Sequence, residues 1–252
     1  TIGNNSLYTN FTSISGTKNK WSYYSFFNYK KGDGFRPNSK FKSKNIYAHI
    51  GYQIKSDTKI SGEITYLNYL AQQAGGLTDQ MFNSNPFQSN RARNWFQVDW
   101  LLYNLKFEHK FSENTNFTFN AFGLNASRYS LGFRTNRVDQ IDPLEERDLI
   151  KGDFNNFGFE TRILNKYKLF NKKAIILLGS KYYKADNTGQ QGPGSEGTDP
   201  NFDFQLEEYP NYGNQSNYTY PNLNIAVFGE NILYLNDKLS ITPGFRFEYI
   251  KT

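Results

Sequence analysis

The stretch NLNIAVFGENILYLNDKLSITPGFRFEY, residues 222–249, decides the fold of this chain. Apolar residues recur at every second position on both sides of Asn236-Asp237-Lys238, a sequence typical of turns. Period-two alternation predicts strands, and two such runs joined by a short turn predict a β-hairpin. One face of this hairpin is apolar and aromatic, and the other is polar. The polar face could meet bulk water in a soluble sandwich or a water-filled lumen in a membrane barrel, so the hairpin alone leaves both folds open.

The composition favours strands along the whole chain. Aromatic residues make up 18% of the 252 residues, with 23 Phe and 19 Tyr, and flat rings pack well on a pleated surface. No apolar run is long enough to predict a transmembrane helix, whereas a barrel strand needs only about 9–11 residues, half of them polar. The absence of cysteine removes disulfides, thiolate metal sites and cysteine nucleophiles. The net charge of +6 comes without a dense basic run, so no nucleic-acid partner is predicted.

The connections between the predicted strands alternate in length. Short turns are predicted near residues 17, 57, 113, 172 and 237, and long Gly-, Asn- and Ser-rich loops at about 30–44, 71–93, 128–152 and 185–220. An outer-membrane barrel has short periplasmic turns at one rim and long extracellular loops at the other, whereas a soluble sandwich has no reason to sort its loops in this way. We therefore predict an all-β antiparallel meander of about ten strands, with a membrane barrel favoured over a soluble β domain.

Five stretches carry a resemblance to a known family. They are GGLTD (75–79), NPFQSNRARNWFQVDW (85–100), LGFRTNRV (131–138), KYYKADNTGQQGPGSEGTDP (181–200) and NIAVFGENILYLNDKLSITPGFRFEYI (224–250). In these stretches the chain resembles the TonB-dependent outer-membrane receptors, in particular the ferric-citrate-type receptors of Bacteroidetes-like bacteria. The last stretch is a hairpin widespread among receptor barrels, and the other four suggest the subfamily.

The resemblance implies an architecture and a function. Residues 1–252 would be a section of a 22-stranded transmembrane barrel, with the plug domain and the C-terminal barrel strands outside it. The implied function is import of an iron chelate, ferric citrate or a similar anionic siderophore, across the bacterial outer membrane. The implied partners are the chelate, the TonB complex, and outer-membrane lipid and lipopolysaccharide. Neither enzymatic activity nor a resident cofactor or metal is expected, because the iron(III) chelate would be cargo.

Four arginines in the long loops are the predicted ligand-binding residues: Arg91, Arg93, Arg134 and Arg137. A guanidinium group forms paired, charge-assisted hydrogen bonds with carboxylates, which suits a polycarboxylate chelate. The alternative is that these arginines pair with acidic residues of the loops, such as Asp79, Asp139 and Asp142, or with lipopolysaccharide phosphates. The predicted loop at about 30–44 contains a basic run, made of Lys30, Lys31, Arg36, Lys40, Lys42 and Lys44. This run fits a lipid-headgroup or solvated face better than a ligand site.

Other functions stay open at this stage. An importer of carbohydrate or peptide would keep the same barrel and change only its loops. A self-contained small barrel, such as a porin or a protease, would fit about ten strands. A protease would need acidic and histidine side chains converging at the long-loop rim, yet His49 and His109 fall on separate predicted strands. No GxSxG, P-loop or HExxH pattern is present.

Four aromatic residues near the bases of the long loops are predicted to be girdle residues at the membrane interface: Trp95, Phe96, Trp100 and Tyr129.

Overall fold

A computed structural model describes all 252 residues, as one antiparallel sheet of eleven strands with one short helix. The strands are β1 (Tyr8–Lys18), β2 (Trp21–Gly32), β3 (Phe41–Lys55), β4 (Thr58–Gln72), β5 (Trp95–Lys110), β6 (Thr115–Gly132), β7 (Arg147–Leu169), β8 (Lys172–Gly194), β9 (Ser216–Asn236), β10 (Leu239–Ile241) and β11 (Gly244–Lys251), and the helix is α1 (Asp79–Ser84). Strands β1 to β9 pair in chain order, and β10 and β11 both pair with β9. The all-β antiparallel meander is thereby confirmed. No helix is long and apolar enough to cross a membrane.

The hairpin of residues 222–249 forms as predicted, except that its second strand is interrupted. A register shift lies between Leu239 and Ser240, and the strand breaks around Pro243 before β11 resumes at Gly244. Proline has no N–H to donate to a ladder, so a strand normally breaks or bulges there. The Pro243 carbonyl still accepts a hydrogen bond from the Asn231 N–H at 2.9 Å. β10 and β11 are therefore two parts of one strand, which brings the count to the expected ten or so.

The alternation of short and long connections is confirmed. The short ones are residues 19–20, 56–57, 111–114, 170–171 and 237–238. The long ones are loop 1 (33–40), loop 2 (73–94), loop 3 (133–146) and loop 4 (195–215), which we call together the loop rim. Because consecutive strands run antiparallel, all four long loops leave the same end of the sheet.

The strands run further into the predicted loops than the sequence indicated. β7 and β8 stay paired from Leu169–Lys172 up to Arg147–Gly194, so the stretch ending in Gly192-Pro193-Gly194 is strand and not loop. Loop 2, predicted to lack secondary structure, contains α1. The side chain of Thr78 caps this helix by accepting a hydrogen bond from the Met81 N–H at 3.2 Å. The predicted loop boundaries at 30–44, 128–152 and 185–220 were therefore too wide.

The two faces of the sheet differ in character. Only 20 of the 252 residues are buried, so the sheet has no core of its own. The apolar face, made of alternate residues of each strand, is an exposed band that includes Ile46, Ile50, Ile64, Leu105, Phe157, Ile163, Leu178, Val227 and Phe247. The polar face carries the residues between them, including Tyr47, Glu63, Asn104, Asn120, Asn156 and Lys181. A soluble monomer rarely exposes an apolar surface of this extent.

Aromatic rings lie over glycines of neighbouring strands. A Cβ atom placed on Gly179 would lie 2.3 Å from the Phe228 ring and 2.9 Å from the carbonyl oxygen of Thr161. The same close packing occurs at Gly158, against the ring of Phe122 and the carbonyl oxygen of Tyr182. A ring packed over a strand glycine fills the space of the absent side chain and shields the ladder.

We expect Gly179→Ala to destabilise the whole protein by about 1–3 kcal/mol, because the ring and a backbone carbonyl would both have to move. The measurement is thermal unfolding in detergent followed by circular dichroism. Gly62→Ala is the matched control, since a Cβ there meets no atom closer than 3.8 Å. Equal melting temperatures for the two variants would contradict the packing described for Gly179.

Candidate functional site

The loop rim is the candidate functional site, and arginine side chains tie its four loops together. Arg36 of loop 1 joins loop 2 by donating to the carbonyl oxygens of Gly75 at 2.5 Å and Gln88 at 3.4 Å. Beside it, the Asn38 side-chain amide donates to the Ser89 hydroxyl at 3.0 Å. Arg36, part of the basic run of the sequence, therefore has a structural role between two loops.

Arg91 connects loop 2 to loop 3. Its side chain is 6% exposed and donates to the carbonyl oxygens of Gln140 at 3.1 Å and Val138 at 3.4 Å. The guanidinium lies 5.1 Å from the centroid of the Phe133 ring, a cation–π contact. The carbonyls and the ring together enclose this arginine within the loops.

Arg93 is the centre of the rim and contacts both loop 3 and loop 4. Two of its nitrogens bind the carboxylate of Asp142, at 2.5 and 3.0 Å, and a third donates to the carbonyl oxygens of Glu145 and Glu196 at 2.9 and 2.8 Å. The Arg93 side chain is 3% exposed. Burial disfavours the charged form of Asp142, but the hydrogen bonds from Arg93 and from the Leu144 N–H outweigh it and lower the pKa of Asp142.

Arg147, the first residue of β7, was not among the predicted site residues. Its side chain is fully buried and donates to the Ser195 carbonyl at 2.7 Å, the Ser195 hydroxyl at 2.6 Å, and the carbonyls of Asp199 and Arg93 at 2.8 and 3.1 Å. Burial lowers the pKa of this guanidinium, which nevertheless remains protonated. In the sequence Arg147 follows Glu145-Glu146, a charged run that reads as solvated loop, so no pattern marked it.

Loop 4 folds back over the ends of β5 to β8. The indole N–H of Trp95 donates to the Thr198 carbonyl at 2.8 Å, and the Lys151 ammonium lies between the rings of Phe204 and Tyr129, 4.8 and 5.2 Å from their centroids. Leu131 and Leu149 are 1% and 0% exposed there. Trp95 and Tyr129, predicted as girdle residues, therefore contribute to the packing of loop 4.

Two of the predicted arginines remain open to solvent. Arg134 is 48% exposed and lies 3.6 Å from Asp148, whose carboxylate also accepts hydrogen bonds from Gln191 and Tyr212. Arg137 is 75% exposed and pairs with Asp139 at 3.0 Å. The four arginines thus divide into an enclosed pair, Arg91 and Arg93, and an accessible pair, Arg134 and Arg137. The alternative was that loop arginines pair with the loop acids Asp79, Asp139 and Asp142. Asp139 and Asp142 do pair with arginines, whereas Asp79 is the first residue of α1. The ligand-binding role of all four stays a prediction.

The two histidines lie apart. His49 is opposite Glu63 on the polar face, whereas His109 faces the other side of the sheet beside a short turn, 2.8 Å from the Thr58 hydroxyl. Neither lies at the loop rim, where a barrel protease would need one. No group of three or more His, Cys, Asp or Glu side chains is arranged to hold a metal ion.

The polar face below the rim contains a cavity of about 480 Å³. Glu63 lines it and accepts hydrogen bonds from the Tyr47 hydroxyl at 2.7 Å and the Asn104 amide at 3.2 Å. The side-chain oxygens of Asn104 and Asn156 are enclosed without a donor. The lining of this cavity can therefore accept hydrogen bonds from a polar group placed against it.

Comparison with known proteins rests on structure. No family profile and no curated protein matches the sequence. The ferric citrate transporter FecA in its unliganded form has a TM-score of 0.78 at 15% identity, and the match covers 96% of this chain and 34% of that one. The ferric-catecholate import receptor Fiu of E. coli K12, open form, has a TM-score of 0.72 at 9% identity, with 99% and 43% covered. The ferripyoverdine receptor of the outer membrane of Pseudomonas aeruginosa has a TM-score of 0.74 at 12% identity, with 99% and 36% covered.

At sequence identities of 9–15%, the structural similarity shows only that the chain shares the fold of these proteins. The chain has the fold of a barrel section found in outer-membrane receptors, and it spans between about a third and two fifths of the length of the structures just named. The predicted fold class is confirmed.

We expect Arg93→Ala to loosen loops 3 and 4 together. The substitution would leave the largely buried Asp142 carboxylate without its cationic partner, and breaking a buried ion pair costs about 3–5 kcal/mol. The measurement is the rate of limited proteolysis within residues 133–146 and 195–215 of the folded protein. Arg137→Ala removes an exposed pair and is the control, with no change in rate. Unchanged proteolysis of Arg93→Ala would show that other contacts hold the loops.

Acid should break the ion pair between Arg93 and Asp142. Because the pKa of Asp142 is lowered in the folded protein, its contribution to stability is complete above the ordinary carboxyl pKa, and is lost as pH falls through the lowered value. Tryptophan fluorescence, to which Trp95 contributes beside Trp21 and Trp100, should therefore change below about pH 4 when it is recorded from pH 7 downwards. Asp142→Asn is the control, because it should already be loosened at pH 7 and lack this transition. A transition of the same size in Asp142→Asn would assign it to another carboxyl group.

Proposed function

We propose that this chain is part of the wall of a TonB-dependent receptor that imports an iron chelate across the bacterial outer membrane. The observation that carries the proposal is the combination of an exposed apolar band on one face with a rim of long, interlocked loops at one end only. A lipid-facing band and extracellular loops account for both features. The transporter and the two receptors named above, which share this fold, are named for ferric citrate, ferric catecholate and ferripyoverdine.

The chain is proposed to be a section of a larger barrel. Among the strands, β1 pairs only with β2, and β11 only with β9. Apart from the contacts of Tyr8 and Thr9 with Ile2 and Thr1, each of these two strands therefore carries a row of backbone groups without partners on its outer side. Lipid tolerates no open sheet edge, because unpaired backbone groups there find no water. Further strands of the same protein, completing a 22-stranded barrel, would pair both edges. A plug domain and the region that contacts the TonB complex would lie in the rest of that protein.

The proposed ligand is an anionic chelate, with ferric citrate as the first choice. Arg134 and Arg137 present accessible guanidinium groups from positions three residues apart in loop 3, and charge-assisted bonds from such groups suit carboxylates. Their present partners, Asp148 and Asp139, leave them 48% and 75% exposed, so a ligand carboxylate can compete for them. The enclosed Arg91 and Arg93 would contribute to ligand binding by holding loops 2, 3 and 4 in place.

The test is ligand binding by the whole protein in detergent. Ferric citrate is titrated against citrate alone and against an uncharged siderophore, with binding followed by calorimetry. We expect saturable binding of ferric citrate only, and about ten- to a hundredfold weaker binding in the double variant Arg134→Gln/Arg137→Gln, since a hydrogen bond to a charged group contributes about 1.5–3 kcal/mol. Lys110→Gln/Lys238→Gln, at the opposite rim, is the control with unchanged binding.

Two further outcomes separate the roles of the arginines. Arg91→Gln or Arg93→Gln should weaken binding only together with faster proteolysis of the loops, whereas the Arg134→Gln/Arg137→Gln variant should leave proteolysis unchanged. Failure of every iron complex to bind would contradict iron-chelate import.

A further inference from the structure

Arg128 of β6 is the one arginine whose side chain has no partner in the protein. Every other arginine forms an ion pair or donates a hydrogen bond: Arg36, Arg91, Arg93, Arg134, Arg137, Arg147, Arg162 and Arg246. The Arg128 guanidinium does neither, and the residue is exposed. The loop predicted over residues 128–152 began at this residue, whereas the structure places it inside β6. Its charge and its five N–H donors are available to an anion from outside the chain.

The polar face around Arg128 is open because glycines follow it across the sheet. In the same row, Arg128 stands opposite Val98 of β5 on one side and Gly152 of β7 on the other. Gly152 in turn stands opposite Gly189 of β8, and Gly189 stands opposite Tyr218 of β9. Two neighbouring strands therefore project no side chain beside the guanidinium.

Aromatic rings form the floor of this open stretch. A Cβ atom placed on Gly152 would lie 3.1 Å from the Phe154 ring, and one placed on Gly189 would lie 3.2 Å from the Tyr220 ring. Trp100, predicted as a girdle residue, lies on this polar face one row below Arg128 because of the strand parity. Tyr220 is 56% exposed and Trp100 38% exposed. Flat rings with one polar group at their edge are typical of the lining of a ligand site.

The carboxylates at the height of Arg128 lie on the opposite face of the sheet. Asp99 of β5 and Asp153 of β7 both stand opposite the residue before Arg128, and Asp186 of β8 has the same parity. On the polar face, across β4 to β9 and within the rows of residues 124–130 of β6, Arg128 is the only charged residue. A single positive charge therefore sets the potential of this part of the polar face.

This site is separate from the accessible arginines of the loop rim. Arg134 lies 3.6 Å from Asp148, which is on the polar face of β7. Gly152, opposite Arg128, follows Asp148 by four residues, or about 14 Å at about 3.4 Å per residue. Arg128 is thus a second cation on the same face, further from the loop rim.

We propose that Arg128 is a second anion-binding site, on the inner wall of the barrel, which receives the anionic chelate after it leaves Arg134 and Arg137. The inference rests on the proposed function, because it requires the polar face to line the lumen. A carboxylate of the chelate takes two parallel hydrogen bonds from the guanidinium, while the rings of Phe154 and Tyr220 contact its carbon atoms. The chelate then moves down the wall from one guanidinium to the next.

The first test detects anions at this wall without any chelate. Trp100 is the reporter, and its emission is the difference between the whole protein in detergent and the Trp100→Phe variant. Iodide is the anionic quencher and acrylamide the neutral one. We expect Arg128→Gln to lower the quenching of Trp100 by iodide about twofold, the effect of one nearby unit charge in water, and to leave quenching by acrylamide unchanged. Arg162→Gln, on the same face but paired with Glu160, is the control and should change neither.

The second test follows the chelate itself. Ferric citrate bound at Arg128 brings iron(III) close to Trp100, so the emission of Trp100 should fall saturably during a titration. In Arg128→Gln the concentration that gives half of this quenching should rise at least tenfold, since a hydrogen bond to a charged group is lost. The Arg162→Gln variant should titrate as the unmodified protein does. Calorimetry on the same samples reports binding at the loop rim.

The outcomes separate this inference from the proposed function. Equal quenching by iodide in Arg128→Gln and the unmodified protein, or an equal fall in Arg162→Gln, would overturn the anion site. Exclusion of both quenchers from Trp100 would show that another part of the protein covers this wall, and would overturn it as well. Calorimetric binding of ferric citrate with unchanged Trp100 emission would overturn the wall site and leave the proposed function standing. Absence of ferric citrate binding would contradict the proposed ligand, and the iodide result would still decide the anion site.

Discussion

The ladder of backbone hydrogen bonds between neighbouring strands is the constraint on which the rest of the structure depends. The ladder runs without a register shift from β5 through β9, so each strand keeps the same side-chain parity relative to its neighbours. A slip of one residue would move every side chain of a strand to the opposite face. The continuous register therefore produces the apolar band and the polar face together. It also places the four long loops side by side at one rim, where their arginines can meet.

The arginines of the rim illustrate how one residue type serves two purposes. Arg36, Arg91, Arg93 and Arg147 donate mainly to backbone carbonyls of adjacent loops, which would otherwise lack partners where strand pairing ends. A planar guanidinium with five donors can satisfy several carbonyls at once, which lysine cannot do. Loops held in this way form one connected surface. The exposed Arg134 and Arg137 are then carried on a fixed support, which would reduce the ordering cost of the proposed ligand binding.

The sequence was sufficient to predict the elements and insufficient to predict the contacts of the loops. Alternation in residues 222–249, and turn residues such as Ser56-Asp57, identify strands because period-two patterns and turn chemistry are local properties. The helix α1 was not predicted because loop 2 is rich in Gly, Asn and Ser, which indicate a loop, and Thr78 was the single capping signal. Arg147 was missed because its partners, Ser195 and Asp199, lie about fifty residues away in the sequence. Among the four predicted arginines, only the three-dimensional contacts distinguish those enclosed by carbonyls from those facing solvent.

The central claim is that alternate residues of each strand face lipid, and the most direct test is a depth measurement along one strand. The chain contains no cysteine, so single cysteines can be placed one at a time from Asn45 to Ile54 of β3 in the whole protein and spin-labelled in lipid bilayers. The account predicts a period of two: labels at even positions collide with oxygen dissolved in the bilayer, and labels at odd positions do not. Uniform accessibility to a water-soluble relaxation agent at every position would contradict a lipid-facing sheet.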